Sequence, residues 1–395
     1  MPFQVTDEQQ LLGSTLSELL SSHGRPRDAY DGGPARDQNL WTRLCEVGII
    51  GMGLPDGLGG AGGSFMDDTI VAEQIGRATA VVPILTSVVA SSILAALGKV
   101  PNPDAIETLN VAEIARTLAN GSTVVLAAVS GTRAFDLGFT ARHTAEGWCI
   151  DGSADDLLDG ASADVLIAPA STVDGRAWFV LDLRAEGVTL LEQPSLDPTQ
   201  RLAAIDLNSA VARRLGDIDL KNNELNSVEL NSFEDFLAKG WVILGAQAVG
   251  AAERALEITV EYAKQRQAFG QPIGRFQAIK HRVSEMLVDV QNARSAVYNA
   301  AWAIDAKRPD AALAARMAKA VATENAVHVV HEAIQCHGGI GFTWEHDLHL
   351  YLRRVKSAQL VLGDTEEHFA ELGRQLIEPR LIEPLLVAAT TSKGS

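Results

Sequence analysis

The sequence predicts an α+β chain built in three successive parts: a helical N-terminal domain (residues 1–119), a middle β-domain (120–232) and a C-terminal four-helix bundle (233–395). Two observations carry this expectation. The hydrophobic period is helical up to about residue 118, becomes short and strand-like from Ser122, and returns to long helical spacing after residue 232. The chain is also long and apolar enough, at 395 residues and 47% hydrophobic, to fill more than one core.

The first helix opens in DEQQLLGSTLSELL, where Asp7 is the expected N-cap and Gln10 its reciprocal partner. GMGLPDGLGGAGGS (51–64) is glycine-rich but lacks the Gly-Lys-Ser/Thr ending that grips a phosphate, so a loop is expected. The most apolar run is VVPILTSVVASSILAALG (81–98). Pro83, Thr86, Ser87, Ser91 and Ser92 within it point to a buried helix of a soluble domain rather than a membrane span. STVVLAAVS, GWCIDG, ADVLIAPA, RAWFVLDL and GVTLLEQP then read as strands separated by Gly, Asp and Pro. LKNNELNSVELNS (220–232) reads as a polar crossing back to helices. From 233 to 378 the helices are amphipathic and rich in Ala, Leu and Val, broken mainly at QPIG, Pro309 and HGGIG.

A formal charge of −17, with no long basic run, argues against a nucleic acid partner. Cys45, Cys149 and Cys336 are far apart and odd in number, which suits a reducing compartment. MPFQVTDEQQ lacks the basic and apolar regions of an export signal, so a cytoplasmic protein is expected. His328, His331, Glu332, Cys336 and His337 cluster near one helix. They do not form His-Glu-x-x-His, and packing or capping is expected rather than a metal site. Arg353, Arg354 and Lys356 form a small basic group that suits an anionic ligand, a neighbouring subunit or, most simply, surface acids.

Two stretches carry binding chemistry. In RQAFGQPIGRFQ (266–277), Arg266 offers a permanent planar donor at a helix end, and Gly270, Pro272 and Gly274 force a turn. A new helix then begins near Phe276 and Gln277, with N-terminal amides and a side-chain amide to offer. Such a set suits a pyrophosphate, whose charges must be paired where water is excluded. In QCHGGIGFT (335–343), Gln335 can hydrogen-bond, and Gly338 and Gly339 let the backbone approach a ligand. Either stretch alone also fits a helix–turn–helix junction closed by a glycine cap. Both together, on a helices–strands–helices chain, resemble the acyl-CoA dehydrogenase family over essentially the whole length. The resemblance implies that family's fold, FAD as cofactor, and contacts from Arg266, Phe269, Ile273, Gln277, Gln335, Gly338 and Gly339 to the ADP end of a neighbouring subunit's FAD.

The other half of the family's site is not written here. Where the family presents Thr-Glu-Pro and Gly-Ser-Asp to the flavin ring and thioester, this chain reads AAVSGTRAF (127–135). Where the family has Asn-Gly-x-Lys-x-Trp-Ile-Thr-Asn-Gly it reads DGSADDLLDG (151–160), with Asp156 for the ring-shielding tryptophan and Leu158 for the hydroxyl residue. The two positions at which family members carry the catalytic glutamate hold Leu362 and Gly240. Neither removes the α-proton of a thioester. Asp364 and Glu366 are weak substitutes; were the segment helical, Glu366 would lie one turn from Leu362.

This pattern is similar to the non-catalytic, degenerate subunit of the α2β2 acyl-CoA dehydrogenases of actinobacterial steroid degradation. It implies a related subunit as partner, a steroid-derived acyl-CoA as substrate and an electron-transfer acceptor. A homomeric flavoenzyme of the same fold, running an oxidase or monooxygenase reaction, and a purely structural subunit remain open on the residues alone.

Overall fold

The computed structural model describes residues 5–22, 26–98, 105–131, 134–217 and 233–377; the crossing segment 220–232 lies outside the described residues. Six helices come first: α1 Asp7–Ser22, α2 Pro26–Tyr30, α3 Gln38–Glu46, α4 Phe65–Ala78, α5 Ile84–Leu97 and α6 Ala105–Ala119. The cap of α1 lies one residue earlier than expected. Thr6 Oγ1 accepts from the Gln9 amide (3.2 Å) and Gln9 Oε1 accepts from the Thr6 amide (3.1 Å), which puts Asp7 in the first turn, where its carboxylate meets the positive helix end. As expected, α5 is buried, without a break from Ile84 to Leu94. Among the described residues no helix is long and apolar enough to cross a membrane.

The middle part is a seven-stranded sheet: β1 Val125–Ala127, β2 Thr140–Thr144, β3 Gly147–Leu158, β4 Val165–Thr172, β5 Gly175–Asp182, β6 Val188–Gln193 and β7 Leu202–Asp217. Antiparallel pairs β2–β3, β3–β7, β7–β5 and β5–β4, with β4 returning to β2 at Thr140–Ser171, close it into a ring; β1 lies parallel to β4, and β6 lies along β7. The runs read from the sequence supply five of these strands. The longest strand, β7, has no counterpart among them, and its burial pattern shows why. Residues alternate in and out up to Asn208, then an extra residue at Ser209, with positive φ, shifts the alternation by one place. A single period-2 template does not fit such a bulged strand.

The C-terminal part comprises α7 Phe233–Gln265, a minimal hairpin of β8 Gln267–Ala268 and β9 Gln271–Pro272, α8 Gln277–Asp305, α9 Ala311–His337, α10 Leu348–Leu360 and α11 Thr365–Ile377. The fold is the α+β arrangement the sequence predicts. α7 is its axis. It crosses α4 so closely that a Cβ on Gly76 would stand 2.1 Å from Gln247 O, and one on Gly250 would stand 1.9 Å from Glu73 O; only glycine fits at either place. Phe233 and Phe236, at the start of α7, pack on Phe135 and Trp178 of the β-domain with ring centroids 5.4 to 5.9 Å apart.

Of the expected basic group, Arg353 and Lys356 are half-buried and Arg354 is not at the surface at all. Arg354 is 1% exposed and pairs through Nε with Asp197, itself 0% exposed, at 2.6 Å. Its Nη atoms donate to Thr199 Oγ1, to Gln247 Oε1 of α7 (3.2 Å) and to the Ala80 carbonyl before α5 (3.2 Å). Tyr30 adds a hydroxyl donor to Asp197 (3.2 Å). One guanidinium thus ties the N-terminal helices, the loop before β7 and two bundle helices. The cluster around His328 is resolved into polar pairs: the His328 ring hydrogen-bonds to Asp289 (2.7 Å) and Glu332 forms an ion pair with Arg282. Among the described residues no group of three potential ligands lies close enough for a metal.

Candidate functional site

The two stretches with binding chemistry lie in different helices yet meet in space. The ring of Tyr262, in the last turn of α7, stacks on His337, the last residue of α9, with centroids 4.2 Å apart. The same turn gives a carbonyl to the Arg266 amide (2.8 Å), and Arg266 in turn accepts from the Ile273 amide (2.8 Å). This joins the end of α7, the β8–β9 hairpin and the glycine turn after α9 into one face.

The hairpin loop is Phe269–Gly270, with φ of 51° and 75°. A two-residue hairpin with both loop residues at positive φ is the type I′ geometry, which favours Asn or Gly; a phenylalanine there is conformationally strained. The strain is accompanied by exposure. Phe269 is 93% exposed and lies edge-on to Phe276, with ring centroids 6.1 Å apart. Arg266, Gln277 and Gln335 are exposed too, and Ile273 is half-buried. Among the described residues the Arg266 guanidinium has no hydrogen bond or ion pair. A Cβ on Gly338 or Gly339 would meet nothing within 4 Å. Donors, an aromatic ring and bare backbone are therefore presented outward, and nothing within the described chain uses them. The set matches what a dinucleotide pyrophosphate and adenosine need.

The stretches that depart from the expected flavin-ring and thioester surface converge on Gly131. The Gly131 amide donates to Asp156 O (2.9 Å), and the Leu362 amide donates to Gly131 O (3.0 Å). Leu158 is buried, its amide held by Val129 O (2.9 Å). Leu362 is 7% exposed and sits at φ 59°, between α10 and α11. The segment is thus not helical at this point, contrary to the geometry assumed for Glu366. Leu362 and Gly363, both at positive φ, break the helix. The Leu362 carbonyl accepts from Trp241 Nε1 (3.0 Å), and its side chain reaches Gly240, where a Cβ would stand 3.0 Å from Leu362 Cδ1. The two positions that sequence reading singled out for a missing base are in contact with each other.

The substitutes are committed elsewhere. Asp364 Oδ1 accepts from the Glu367 amide (2.8 Å) and Glu367 Oε2 accepts from the Asp364 amide (3.1 Å), a reciprocal cap on α11, while Glu366 is exposed. Sequence reasoning missed two buried ionisable groups behind Leu362. Lys319 donates to the carbonyls of Gln359 (3.1 Å) and Gly363 (3.2 Å), and burial pulls its pKa down to about 7. His368, edge-on to Trp241 at 5.2 Å, is held down to about 4, by burial first and then by Lys319 and Arg316. Both brace the turn that carries Leu362. The signal for them was the polar residue inside an otherwise apolar helix face, which is weak.

Comparison with known proteins places these features in context. Residues 230–377 match the model for the acyl-CoA dehydrogenase C-terminal domain, and residues 6–104 match that for the N-terminal domain. Similar proteins include two named acyl-CoA dehydrogenase IpdE2. The one from Mycobacterium tuberculosis is 33% identical, over 94% of this chain and 98% of its own length; the one from Mycolicibacterium smegmatis is 31% identical, over 93% and 98%. Among solved structures, the ChsE4-ChsE5 complex from Mycobacterium tuberculosis aligns with TM-score 0.81 at 26% identity, covering 96% of this chain and 99% of the matched one. Butyryl-CoA dehydrogenase from Megasphaera elsdenii shares the fold, with TM-score 0.82 at 24% identity over 96% and 100%.

Proposed function

The chain belongs to the acyl-CoA dehydrogenase family, whose members are FAD-dependent oxidoreductases, and on that premise we propose that it is the non-catalytic subunit of a heteromeric enzyme. In this reading a related partner chain holds the flavin ring and supplies the catalytic carboxylate. The present chain lends the ADP-end contacts: Arg266 to the pyrophosphate, Phe269 and the bare backbone at Gly338 and Gly339 to the adenosine side, and Gln277 and Gln335 as hydrogen-bonding side chains. FAD, when bound, supplies the two-electron acceptor for α,β-dehydrogenation. The assembly would be α2β2, cytoplasmic, and act on an acyl-CoA of the steroid-derived kind with an electron-transfer acceptor. The resemblance to a protein solved as a complex of two unlike names, ChsE4 and ChsE5, supports pairing.

The observation that carries the reading is the contact of Leu362 with Gly240. The two family positions for the base face one another, and here one is an alkyl group and the other has no side chain. The space between them is filled by Leu362, which leaves neither a proton acceptor nor room for one. At the flavin-ring surface, Leu158 is turned into the core and Asp156 stands at a positive φ. The residues present fit the ADP end of FAD and do not fit its ring. The domain limits 1–119, 120–232 and 233–395 are retained as part of this proposal.

Native mass spectrometry with flavin absorbance tests it, on the chain alone and co-expressed with a related dehydrogenase. A flavin-poor chain that forms a heterotetramer with one FAD per unlike pair is the expected result. A homotetramer with one FAD per chain would overturn it and point to a reaction run by this chain itself. Leu362→Ala gives a second check. Removing a buried leucine is expected to cost about 2–5 kcal/mol of stability, read from urea denaturation, while turnover of the assembled enzyme stays at the parent level. Loss of turnover with FAD retained would place Leu362 in the chemistry.

A further inference from the structure

His337 stands between the two stretches with binding chemistry, one residue before Gly338. It is 4% exposed and packed against three neighbours. Tyr262 of α7 stacks on its ring, with centroids 4.2 Å apart and planes 23° from parallel, and the Tyr262 hydroxyl reaches the His337 carbonyl at 3.5 Å. His346, in the turn before α10, lies edge-on at 4.6 Å. Gly341 closes over the side chain, since a Cβ there would stand 3.1 Å from His337 Cβ. Tyr262 is also the residue whose carbonyl holds the Arg266 amide (2.8 Å). One ring contact therefore sets the spacing between Arg266 and the bare backbone at Gly338 and Gly339.

The imidazole is held as a neutral ring. A carbonyl only accepts, so Nδ1, 2.7 Å from Ala333 O, carries the hydrogen, and Nε2 is left as a bare lone pair. Among the described residues that Nε2 is buried without a hydrogen-bond partner. A proton arriving there would charge a withdrawn ring and find no acceptor for the new N–H. The neighbouring groups are turned elsewhere. The Tyr262 hydroxyl from α7 is aimed at backbone, and His346 accepts from the Leu348 amide through Nδ1 (3.3 Å). His349 of α10 bonds the His346 carbonyl (2.7 Å), Arg27 of α2 pairs with Asp347 (2.7 Å), and Arg282 of α8 pairs with Glu332. Burial holds the His337 pKa below the ordinary histidine value; the Ala333 bond opposes this, and His346 adds to the lowering.

We propose that His337 is a positioning residue for the ADP end of the cofactor: as a neutral ring it holds the glycine turn in register with Arg266, and on taking up a proton it releases the turn. The consequence for the cofactor rests on the shared-site reading; the release of the turn does not. In an open turn the imidazole meets water and titrates near the ordinary value of 6.5, whereas in the stack it titrates lower. The open turn therefore takes the proton more readily. Closure is fully favoured above the open-state value and is lost as the pH falls from there through the stacked-state value. One histidine changes the closing equilibrium by at most about tenfold per pH unit.

Hydrogen exchange of the backbone amides 338–343 in the full chain, corrected for the pH dependence of free-peptide exchange, tests the proposal at pH 7.0 and 5.5. The Gly338 amide donates to Gln335 O and the Thr343 amide to Ile340 O (3.1 Å), so opening exposes both. Their protection is expected to fall about three- to tenfold between the two pH values, while the buried amides 242–252 of α7 keep theirs. His337→Phe keeps a ring for the stack and has no proton to take up, so its turn is expected to show no such slope. Tyr262→Leu is expected to lower protection already at pH 7.0. The His337 imidazole signal, read by NMR in the parent chain, needs no variant: its midpoint should lie below 6.5. Protection that ignores pH in the parent, a slope that persists in His337→Phe, unchanged protection in Tyr262→Leu, or a His337 midpoint at or above 6.5 would each overturn the release of the turn. In the assembled enzyme, flavin release is expected to quicken over the same interval in the parent and not in His337→Phe. A turn that opens in the free chain with flavin release unchanged would overturn the cofactor role and count against the shared-site reading.

Discussion

Arg266→Ala is expected to strip FAD from the assembled enzyme. The argument is one of charge and exposure. On the proposed reading the guanidinium meets the pyrophosphate, and it stands exposed at the end of α7 without a hydrogen bond or ion pair among the described residues. A hydrogen bond to a charged group is worth about 1.5–3 kcal/mol, so its loss weakens FAD binding roughly 10- to 100-fold. Because the Arg266 side chain makes no hydrogen bond or ion pair among the described residues, the variant should fold and assemble as the parent does. The ratio of flavin to protein absorbance after gel filtration reads the effect. Full flavin content in Arg266→Ala would favour a structural subunit in which the motif is a relic.

Arg354→Ala should have the largest effect on folding. Both members of the Arg354–Asp197 pair are withdrawn from solvent, and the guanidinium also satisfies Gln247, Thr199 and the Ala80 carbonyl. Removing one partner leaves Asp197 buried against Tyr30 and Thr199 with no compensating charge, which typically costs about 3–5 kcal/mol. The denaturation midpoint is expected to drop accordingly, with the chain falling out of the assembly before any flavin effect can be read separately. The double change Arg354→Met with Asp197→Leu should recover a large part of the loss, since an apolar pair of similar volume often replaces a buried ion pair at little cost. If the single change were silent, the node would be incidental.

The fold was legible where period and punctuation agree. α5 is legible as a buried helix because serines and a proline break up an otherwise membrane-like run, and the turn before α8 is legible from Gly270, Pro272 and Gly274. β7 was hidden by the bulge at Ser209, which disturbs the alternation a strand is read by. The candidate site was legible to the same degree. Arg266, Gln277 and Gln335 stand out because their residue types and spacing state a ligand chemistry. The direct contact between Leu362 and Gly240 did not stand out. It depends on two backbone conformations, at Leu362 and Gly363, that are long-range consequences of Trp241, Lys319 and Gly131. Arg354 was misplaced for a similar reason: the other two basic residues of its group, Arg353 and Lys356, are half-buried, and only the fold brings Asp197 to Arg354.

The exposure of Phe269 at the hairpin tip has a thermodynamic consequence for the assembled enzyme. If a cofactor pocket is completed only when this ring, 93% exposed in the separate chain, meets a second chain, then cofactor affinity is not a property of either chain but of their concentration. Diluting the complex would release flavin and subunits together, and added FAD would draw the subunits back into one particle by mass action. Flavin fluorescence would then serve as a gauge of assembly, with a midpoint that moves with total protein.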